Sequence, residues 1–333
     1  MTAIHIQGLG TYVPTKRITN VDLMSLVDTN DEWIVSRTGI KARHMLADDE
    51  NGSDAGTEAA LKALEDAGIA AEDITHVLTA TCTPDYLCPS TACIISGKIG
   101  SHGAMAFDLN AACTGFVYGL DVANSILAGK PGAKVLLVGS EAFTRLNWED
   151  RTTCILFGDG AAAAVLTNGD AGTPKRCLPS APRLRDVRCG ADGRQYPLLT
   201  VGGGTNRNYK PGDPVQDDFY LQMQGREVFK QAVRSLSAVC SELLEDNGLT
   251  LEDIDLFIPH QANLRIIEAV GDRLKLGSEK IFVNLDEYGN TSAASIPLGI
   301  GDACAQGRIR PGSRVLLSAF GGGFTWGAAL LEF

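Results

Sequence analysis

The sequence predicts an α/β protein made of two similar halves, which we place at residues 1–170 and 171–333. Three blocks of the first half recur in the second, and paired positions always differ by 180 residues, as Gly68 and Gly248 do. Short apolar runs typical of buried strands alternate with stretches of helical spacing, the pattern of an α/β fold. The paired blocks are Leu64–Gly68 with Leu244–Gly248, Glu72–Ile74 with Glu252–Ile254, and Pro131–Leu137 with Pro311–Leu317.

The elements follow in chain order from apolar periodicity and from glycine and proline stops. Strands are predicted at Ile4–Gly10, Ile74–Ala80, Met105–Leu109, Lys134–Gly139, Ala161–Leu166, Ile254–Ile258 and Val315–Ala319. Helices are predicted at Asn20–Leu26, Asp31–Arg37, Gly56–Asp66, Pro89–Ile99, Phe116–Ala128 and Leu264–Leu274. The linker Gly169–Asp218 is rich in Gly, Pro, Asp and Arg, so we predict loops there, lying over the site.

Composition limits the function classes. The chain of 333 residues is 44% hydrophobic and 21% charged with a net charge of −11, which argues against a broad basic face for nucleic acid. No signal peptide is evident, and no apolar run approaches the roughly 18 residues of a membrane span, so a cytoplasmic location without membrane partners is expected. The nine cysteines include no C-x-x-C pair, which argues against structural zinc and favours reduced thiols.

Cys113 is the strongest candidate for chemistry. It follows the strand Met105–Leu109 and a tight turn, and it directly precedes the helical run that starts at Phe116. The free N–H groups and the dipole of a helix start stabilise a thiolate, which is the nucleophilic form of cysteine. The sequence therefore predicts a nucleophilic thiol at this position.

His260 and Asn290 are candidates in the second half. His260 ends the strand Ile254–Ile258 and precedes a helix, a setting that the other four histidines lack, although a loop histidine is often structural. Asn290 lies in a loop of small residues that opens a helix, where a turn or N-cap role competes with a role as hydrogen-bond donor to an enolate oxygen. If the halves pack about a pseudo-twofold axis, these loops and Cys113 should converge.

Three consecutive glycines form the loop Gly321–Gly323 after the strand Val315–Ala319. Glycines allow backbone N–H groups to approach a ligand closely. A phosphate-binding role is disfavoured because no Lys-Ser/Thr pair follows, and Gly8-x-Gly10 likewise lacks the rest of a dinucleotide fingerprint. The loop fits either a strand-to-strand turn or part of an oxyanion hole.

With these residues in view, the chain resembles the β-ketoacyl-[acyl-carrier-protein] synthase III family of the thiolase-like superfamily. The resemblance runs from about Asp31 to Phe333. It implies a thiolase-like fold with two mixed five-stranded sheets in five α-β-α-β-α layers, and a homodimer. Asn290 in the third catalytic position distinguishes this family from elongating enzymes with two histidines. The motifs are Asp31–Ile34, Arg37–Ile40, Asn110–Phe116, Gly158–Gly160, His260–Arg265, Tyr288–Ala293 and Gly321–Gly327.

The resemblance implies a decarboxylative Claisen condensation that starts type II fatty-acid synthesis. Cys113 would accept an acyl group from acyl-CoA, a substrate, and no metal or cofactor is expected. Malonyl-acyl carrier protein would then lose carbon dioxide, and its enolate would attack the thioester. His260 and Asn290 would stabilise the enolate, and the N–H groups of Cys113 and Gly322 would form the oxyanion hole.

Further roles are implied by position in the family's motifs. Trp33 and Arg151 would sandwich the CoA adenine, Arg37 would contact a CoA phosphate, and Asn263 would contact the pantetheine arm. Arg265, Lys230 and Arg273 would form a basic patch for an acidic carrier protein, although a solvated helix face is a competing interpretation for the charges. The remaining members of the pantetheine channel would be Met223, Gly225 and Phe229.

The acyl pocket would be shaped by Phe320 and Cys88. Many family members have phenylalanine where this chain has Cys88, and that side chain crosses the dimer interface to form the pocket floor. A smaller cysteine predicts room for a longer or branched starter, whereas acetyl-CoA is the expected default.

Two other function classes compete with the initiating condensing enzyme. One is a synthase III-like enzyme of polyketide or quinolone metabolism, and the other is a non-condensing acyl-CoA-binding, scaffold or redox protein. Retention of Cys113, His260 and Asn290 argues against the second class, and a carrier-type Arg265 mildly favours fatty-acid synthesis.

Overall fold

The protein was analysed as a computed structural model that describes residues 3–146, 151–202 and 220–333. Part of the predicted linker, residues 203–218, lies outside the described residues. The strands are β1 Ile4–Tyr12, β2 Lys16–Thr19, β3 Ala42–Met45, β4 His76–Ala80, β5 Met105–Leu109, β6 Lys134–Glu141, β7 Gly160–Asn168, β8 Arg183–Ala191, β9 Leu199–Val201, β10 Leu221–Met223, β11 Leu256–Pro259, β12 Arg314–Gly321 and β13 Thr325–Glu332. The helices are α1 Asn20–Leu23, α2 Asp31–Thr38, α3 Gly52–Ala67, α4 Thr91–Ile99, α5 Gly115–Gly129, α6 Arg151–Cys154, α7 Gly225–Asp246, α8 Leu264–Leu274, α9 Leu285–Tyr288 and α10 Ser295–Ala305.

Each half contributes a mixed sheet. The first contains β1, β7, β6, β4 and β5, and the second contains β8, β13, β12 and β11. The place of a fifth strand in the second half is taken by a single parallel bridge between Phe257 and Ile281, so one predicted five-stranded sheet has four full strands. The two sheets join edge to edge through β1 and β8, where the Ile6 N–H donates to the Pro182 carbonyl (2.9 Å).

The packing confirms the five predicted layers. Apolar side chains of α5 and α10, such as Phe116 and Ile300, share one core with inward residues of both sheets, such as Leu137 and Leu317. Helices α3 and α4 cover the outer face of the first sheet, and α7 and α8 cover the outer face of the second. Because helices in the middle layer are buried on all sides, α5 and α10 are apolar around most of their circumference.

The repeat is visible in the backbone as well as in the sequence. Helices α5 and α10 begin at Gly115 and Ser295, which are 180 residues apart, and each follows a short 3₁₀ turn. In those turns Ala112 and Ser292 both adopt left-handed backbone conformations, with φ of 49° and 48°. The division at residue 170 remains a prediction.

One prediction for the linker was wrong, because residues within Gly169–Asp218 form strand β8, which pairs along its length with β13. Its charged residues suggested a loop. Instead, Arg188 pairs with Glu242 and Asp246 on α7, and Arg185 pairs with Glu332 on β13 (2.6 Å). The polar face of the strand is thus covered by polar partners that only the folded chain supplies. No described helix is long and apolar enough to cross a membrane.

Candidate active site

Cys113 occupies the 3₁₀ turn Ala112–Thr114 that leads into α5, as the sequence predicts. The end of strand β12 lies against this turn. A Cβ atom added to Gly321 would lie 2.7 Å from the backbone nitrogen of Cys113, so only glycine permits this approach. The conformation of the turn and the glycine behind it hold the cysteine at the junction of the two halves.

The environment of the thiol differs from the thiolate-stabilising one predicted. Burial raises the pKa of Cys113 to about 12, and the negative charge of Glu141 acts in the same direction. Hydrogen bonds from the Ser292 side chain and from the backbone N–H of Cys113 itself oppose this rise. The thiol is therefore neutral at rest, and its proton must leave as the sulfur attacks.

His260 is buried at the end of β11, and its ring is fixed by a neighbour. Its Nδ1 lies 2.6 Å from the hydroxyl oxygen of Ser295, the first residue of α10. That oxygen also accepts the Gln261 N–H (3.4 Å), so it is placed to donate its own proton to Nδ1. Nε2 is then the protonated nitrogen available to a ligand. Burial lowers the pKa of His260 to about 3, which keeps the imidazole neutral.

Asn290 is held on both its backbone and its side chain. Its N–H donates to the Leu156 carbonyl (2.8 Å), and its own carbonyl accepts the Gly158 N–H (3.1 Å). The side-chain oxygen accepts the Ser292 N–H (2.9 Å), which fixes the orientation of the carboxamide. The amide NH₂ of Asn290 is consequently the group left to donate to a ligand.

The three candidates border one cavity of about 750 Å³. The structure thus brings Cys113 from the first half together with His260 and Asn290 from the second. Most of the other predicted channel residues lie on the same cavity, whose wall includes Arg37, Met223, Gly225, Phe229, Lys230, Asn263, Arg265 and Phe320. Its apolar lining suits an extended chain carrying few polar groups.

A second cavity, of about 780 Å³, reaches Cys113 from another side. It shares Cys113, Phe157 and Leu199 with the first, so the cysteine lies where the two meet. Gly322, in the turn between β12 and β13, borders this second cavity. A thiol with space on two sides can hold an acyl group in one cavity while a second substrate enters the other.

Trp33 and Arg151 contact each other directly instead of leaving a slot for a base. The guanidinium of Arg151 lies 5.1 Å from the centre of the Trp33 ring, and that of Arg37 lies 4.6 Å from it. A flat base stacked between two groups needs about 7 Å, twice a van der Waals contact. Arg151, which also donates to the Asp28 carbonyl (2.8 Å), would have to move for adenine to enter.

Asn263 links two parts of the channel. Its side-chain oxygen caps α8 by accepting the Arg265 N–H (2.9 Å), and its NH₂ donates to the Arg37 carbonyl (3.1 Å). The residue therefore ties α8 to the end of α2 beside the cavity.

The predicted basic patch is only partly assembled. Arg265 is exposed beside the cavity, whereas Lys230 is already paired with Glu227 (2.8 Å). Arg273 lies in the last turn of α8, about 12 Å along the helix from Arg265. Arg226, which the sequence analysis missed, is exposed on the cavity wall and is a better neighbour for Arg265.

The two acyl-pocket predictions have different outcomes. Phe320 is buried beside the first cavity, with its ring 4.8 Å from that of Phe324. Cys88 is exposed and lies on neither cavity of the single chain, although the adjacent Tyr86 and Leu87 border the second. A role for Cys88 in a pocket therefore requires a second copy of the chain.

Sequence reasoning also missed the polar residues behind the cysteine. Glu141, Ser292 and Ser295 are buried, and their neighbours come from distant parts of the chain. The sequence did contain one signal for Glu141, because this carboxylate ends an apolar strand. A charge at such a position is expected to be buried and therefore to need hydrogen-bonding partners. In the described part of the chain, no cluster of three His, Cys, Asp or Glu side chains is arranged to hold a metal ion.

Two fused halves with matching elements and a shared middle layer of helices define the thiolase-like class of acyltransferases. Comparison with known proteins resolves the family within it. Residues 107–181 match the family 3-oxoacyl-[acyl-carrier-protein (ACP)] synthase III, and residues 244–333 match that family's C-terminal domain.

Full-length relatives give the same result. The chain is 59% identical over 332 residues to the β-ketoacyl-[acyl-carrier-protein] synthase III of Nitratidesulfovibrio vulgaris (strain DSM 19637 / Miyazaki F), covering 99% of this chain and 98% of the relative. A solved synthase III from Thermus thermophilus has a TM-score of 0.88 at 44% identity, covering 98% of each chain. One from Aquifex aeolicus VF5 has a TM-score of 0.87 at 41% identity, covering 99% of this chain and 100% of the other. The chain belongs to the β-ketoacyl-[acyl-carrier-protein] synthase III family.

Proposed function

We propose that this protein is the initiating condensing enzyme of type II fatty-acid synthesis, joining an acyl-CoA to malonyl-acyl carrier protein. The products would be a 3-oxoacyl carrier protein, CoA and carbon dioxide. The observation that carries the proposal is the meeting of Cys113, His260 and Asn290 on one apolar cavity. These residues can supply a nucleophile and two neutral hydrogen-bond donors, which together meet the needs of a Claisen condensation.

In the first step the Cys113 sulfur attacks the thioester carbon of acyl-CoA. The carbonyl oxygen gains negative charge, which the backbone N–H groups of Cys113 and Gly322 would stabilise. The CoA sulfur then leaves with its bonding electron pair and takes up a proton in place of the one that the Cys113 thiol has lost, and the acyl group stays on Cys113. Splitting the reaction through this intermediate predicts ping-pong kinetics.

In the second step malonyl-carrier protein loses carbon dioxide, and the electrons of the broken bond form a thioester enolate. His260 Nε2–H and the Asn290 NH₂ would donate to the enolate oxygen. Both donors are neutral and held in place by Ser295 and Ser292, so they need little reorganisation as charge develops. The enolate carbon attacks the acyl-thioester, and the Cys113 sulfur leaves with the electron pair of the broken bond and takes up a proton to restore the resting thiol.

Substrate binding would use the cavity that leads from Cys113 to α7 and α8. Met223, Gly225 and Phe229 would contact the pantetheine arm, with Asn263 donating to its amide groups. Trp33, Arg37 and Arg151 would bind the adenine and phosphates after Arg151 moves off the ring. We assign carrier-protein docking to Arg265 and Arg226, with smaller contributions from Lys230 and Arg273.

The reaction as written needs no metal or organic cofactor, because the thioester carbonyl itself accepts the electrons of decarboxylation. Acetyl-CoA is the proposed starter. We also propose a homodimer, because Cys88 can reach an acyl pocket only from a second copy. The cytoplasmic location expected from the sequence stays a prediction.

Incubation with acetyl-CoA and malonyl-carrier protein tests the function directly. Mass spectrometry of the carrier protein should detect the 3-oxoacyl product, with CoA released in equal amount. Malonyl-carrier protein without acetyl-CoA is the control and should form far less of this product. An acyl-enzyme that never condenses would support a starter-loading role, and absence of any acyl-enzyme would support a binding or scaffold protein.

Replacing Cys88 with phenylalanine should narrow starter choice toward acetyl-CoA. The larger ring would fill space that a longer chain needs, and losing room for even one methylene group is worth about 10- to 200-fold in kcat/KM. A panel of straight and branched acyl-CoA starters measures the effect, with Cys88→Ala as the size-reducing control. An unchanged profile in Cys88→Phe would exclude this residue from the pocket.

A further inference from the structure

Thr325 is a polar residue that has no part in the reaction described above. It is the first residue of β13 and follows the loop of residues 322–324. Its backbone pairs with Gly321 of β12 on one side and with Ala191 of β8 on the other. A threonine side chain has few accessible rotamers because it is branched at Cβ. The central strand and this branching therefore hold the Thr325 hydroxyl in a fixed place beside the loop.

The Thr325 hydroxyl bridges the two segments that carry the proposed oxyanion hole. Its Oγ1 lies 3.0 Å from the carbonyl oxygen of Ala111, the residue before the turn that contains Cys113. The same Oγ1 lies 3.2 Å from the carbonyl oxygen of Gly322. One hydroxyl proton between two carbonyl oxygens can be shared as a three-centre hydrogen bond. A single side chain thus connects the cysteine turn to the glycine loop.

The cysteine turn has further support besides Thr325. The Thr114 N–H donates to the Ala111 carbonyl (3.1 Å), which closes the turn through the backbone alone. The Thr114 hydroxyl donates to the Thr325 carbonyl (3.3 Å), and the two threonine hydroxyl oxygens lie 3.0 Å apart. Loss of the Thr325 hydroxyl would therefore leave the turn closed and the Cys113 sulfur in place.

The Gly322 peptide depends on Thr325 alone. In the described part of the chain, the Thr325 hydroxyl is the only donor to the Gly322 carbonyl, and the Gly322 N–H has no acceptor. Its neighbours are held by other bonds, because Gly321 pairs with Thr325 and Phe324 exchanges two backbone hydrogen bonds with Asp192 (2.8 and 2.9 Å). Since a glycine backbone rotates more freely than any other, the Thr325 hydroxyl is what fixes the direction of this peptide.

The glycine loop lies directly against the cysteine turn. A Cβ atom added to Gly321 would lie 2.7 Å from the Cys113 nitrogen, and one added to Gly322 would lie 3.7 Å from the Ala112 Cβ. Among the residues that the structure describes, the Cys113 N–H donates to no other residue. Two such N–H groups can stabilise one oxyanion only if both already point at it, because donors that must rotate lose part of their effect.

We propose that Thr325 is a positioning residue that directs the Gly322 N–H, together with the Cys113 N–H, at the substrate's carbonyl oxygen. This role rests on the proposed acyl transfer. As the Cys113 sulfur bonds to the carbonyl carbon, one electron pair of the double bond moves to the oxygen, which both N–H groups stabilise. The pair returns when the leaving group departs with its own bonding electrons. Thr325 touches no reacting atom and acts through the Gly322 peptide.

Two reactions of the same thiol separate this role from a structural one. 4-Nitrophenyl acetate transfers its acetyl group to Cys113 through an oxyanion, 4-nitrophenolate leaves with the electron pair of the broken bond, and the thiol proton passes to solvent. Iodoacetamide instead alkylates Cys113 by displacing iodide from a saturated carbon, so no oxyanion forms. Peptide mass spectrometry assigns both modifications to Cys113. A misdirected oxyanion hole slows only the first reaction, whereas a displaced cysteine alters both.

Thr325→Val keeps the shape of the side chain and removes its hydroxyl. Acetylation of Cys113 by acetyl-CoA and by 4-nitrophenyl acetate should each slow by about 10- to 100-fold, less than the 10²–10³-fold cost of losing a whole oxyanion donor. The rate of alkylation should stay close to that of wild type. Thr325→Ser retains the hydroxyl and should restore acetylation, whereas Thr325→Ala should be as slow as Thr325→Val.

The control is Tyr118→Phe, which removes a hydroxyl that donates to the Gly190 carbonyl (2.8 Å) and joins α5 to β8. It should leave both reactions of Cys113 unchanged. Equal acetylation in Thr325→Val and wild type would overturn the positioning role, as would alkylation that falls as far as acetylation, or a Thr325→Ser variant as slow as Thr325→Val. If only 4-nitrophenyl acetate acetylated wild-type Cys113, the proposed enzymatic function would fail, and the ester would still decide the role of Thr325.

Discussion

Replacing Cys113 with alanine is expected to abolish acyl transfer completely. Acetyl-CoA should leave the variant's intact mass unchanged, and 3-oxoacyl carrier protein should fall below detection, because no other group can form the thioester. The protein has eight other cysteines, and none of them borders the cavity that contains His260 and Asn290, whereas Cys113 does. Intact-mass spectrometry after incubation with acetyl-CoA is the measurement.

The matched control is Cys82→Ala, which removes the neighbouring half-buried thiol. Cys82 borders the second cavity only, so its loss should leave the acetyl adduct in place. Cys113→Ala should also retain slow decarboxylation of malonyl-carrier protein, since the two enolate donors remain. An acetyl adduct that persisted in Cys113→Ala would refute the assignment of the nucleophile.

Replacing His260 with alanine should separate the two half-reactions. The acetyl-enzyme should still form, because acylation needs Cys113 and the oxyanion hole, whereas decarboxylation of malonyl-carrier protein should fall by about 10²–10³-fold. That loss corresponds to about 3–4 kcal/mol of enolate stabilisation from one preorganised donor. Release of carbon dioxide and the amount of acetyl-enzyme, measured on the same sample, give both rates.

Ser295→Ala is the matched control for this experiment. It keeps the imidazole but removes the group that faces Nδ1, so the loss should be smaller, about tenfold. Because the pKa of His260 is lowered to about 3, the ring should contribute no ionisation to the pH profile near neutrality. Equal carbon dioxide release in His260→Ala and wild type would exclude the proposed role.

The architecture was largely predictable from the sequence because its signals are local or repeated. The constant spacing of 180 residues predicted equivalent elements, and equivalent glycines do follow the helices α3 and α7, with left-handed φ values of 65° and 64° at Gly68 and Gly248. Apolar runs in the middle layer marked α5 as a buried helix. Strand β8 was not predicted because its charged residues are typical of a loop. In the fold they pair with residues of α7 and β13, which are distant along the chain.

The sequence predicted which residues form the candidate site better than it predicted their protonation states. Cys113, His260 and Asn290 stood out by their positions at strand ends and helix starts, and the fold brings them to one cavity. The prediction that Cys113 is a thiolate was wrong, because the helix-dipole argument considers only the local backbone. Burial and the charge of Glu141 raise the thiol pKa instead, and both depend on segments far from Cys113 in the chain.

The sequence by itself determined the two-half α/β architecture, the family and the identity of the three candidate catalytic residues, because short motifs and a fixed spacing carry that information. Only the tertiary structure decided which buried polar groups surround these catalytic residues. Ser292 donates to Glu141, 151 positions away in the chain, and Ser295 faces His260, 35 positions away, because folding brings these distant segments together. Those contacts exclude water, and exclusion of water is what sets the protonation of the cysteine, the glutamate and the histidine.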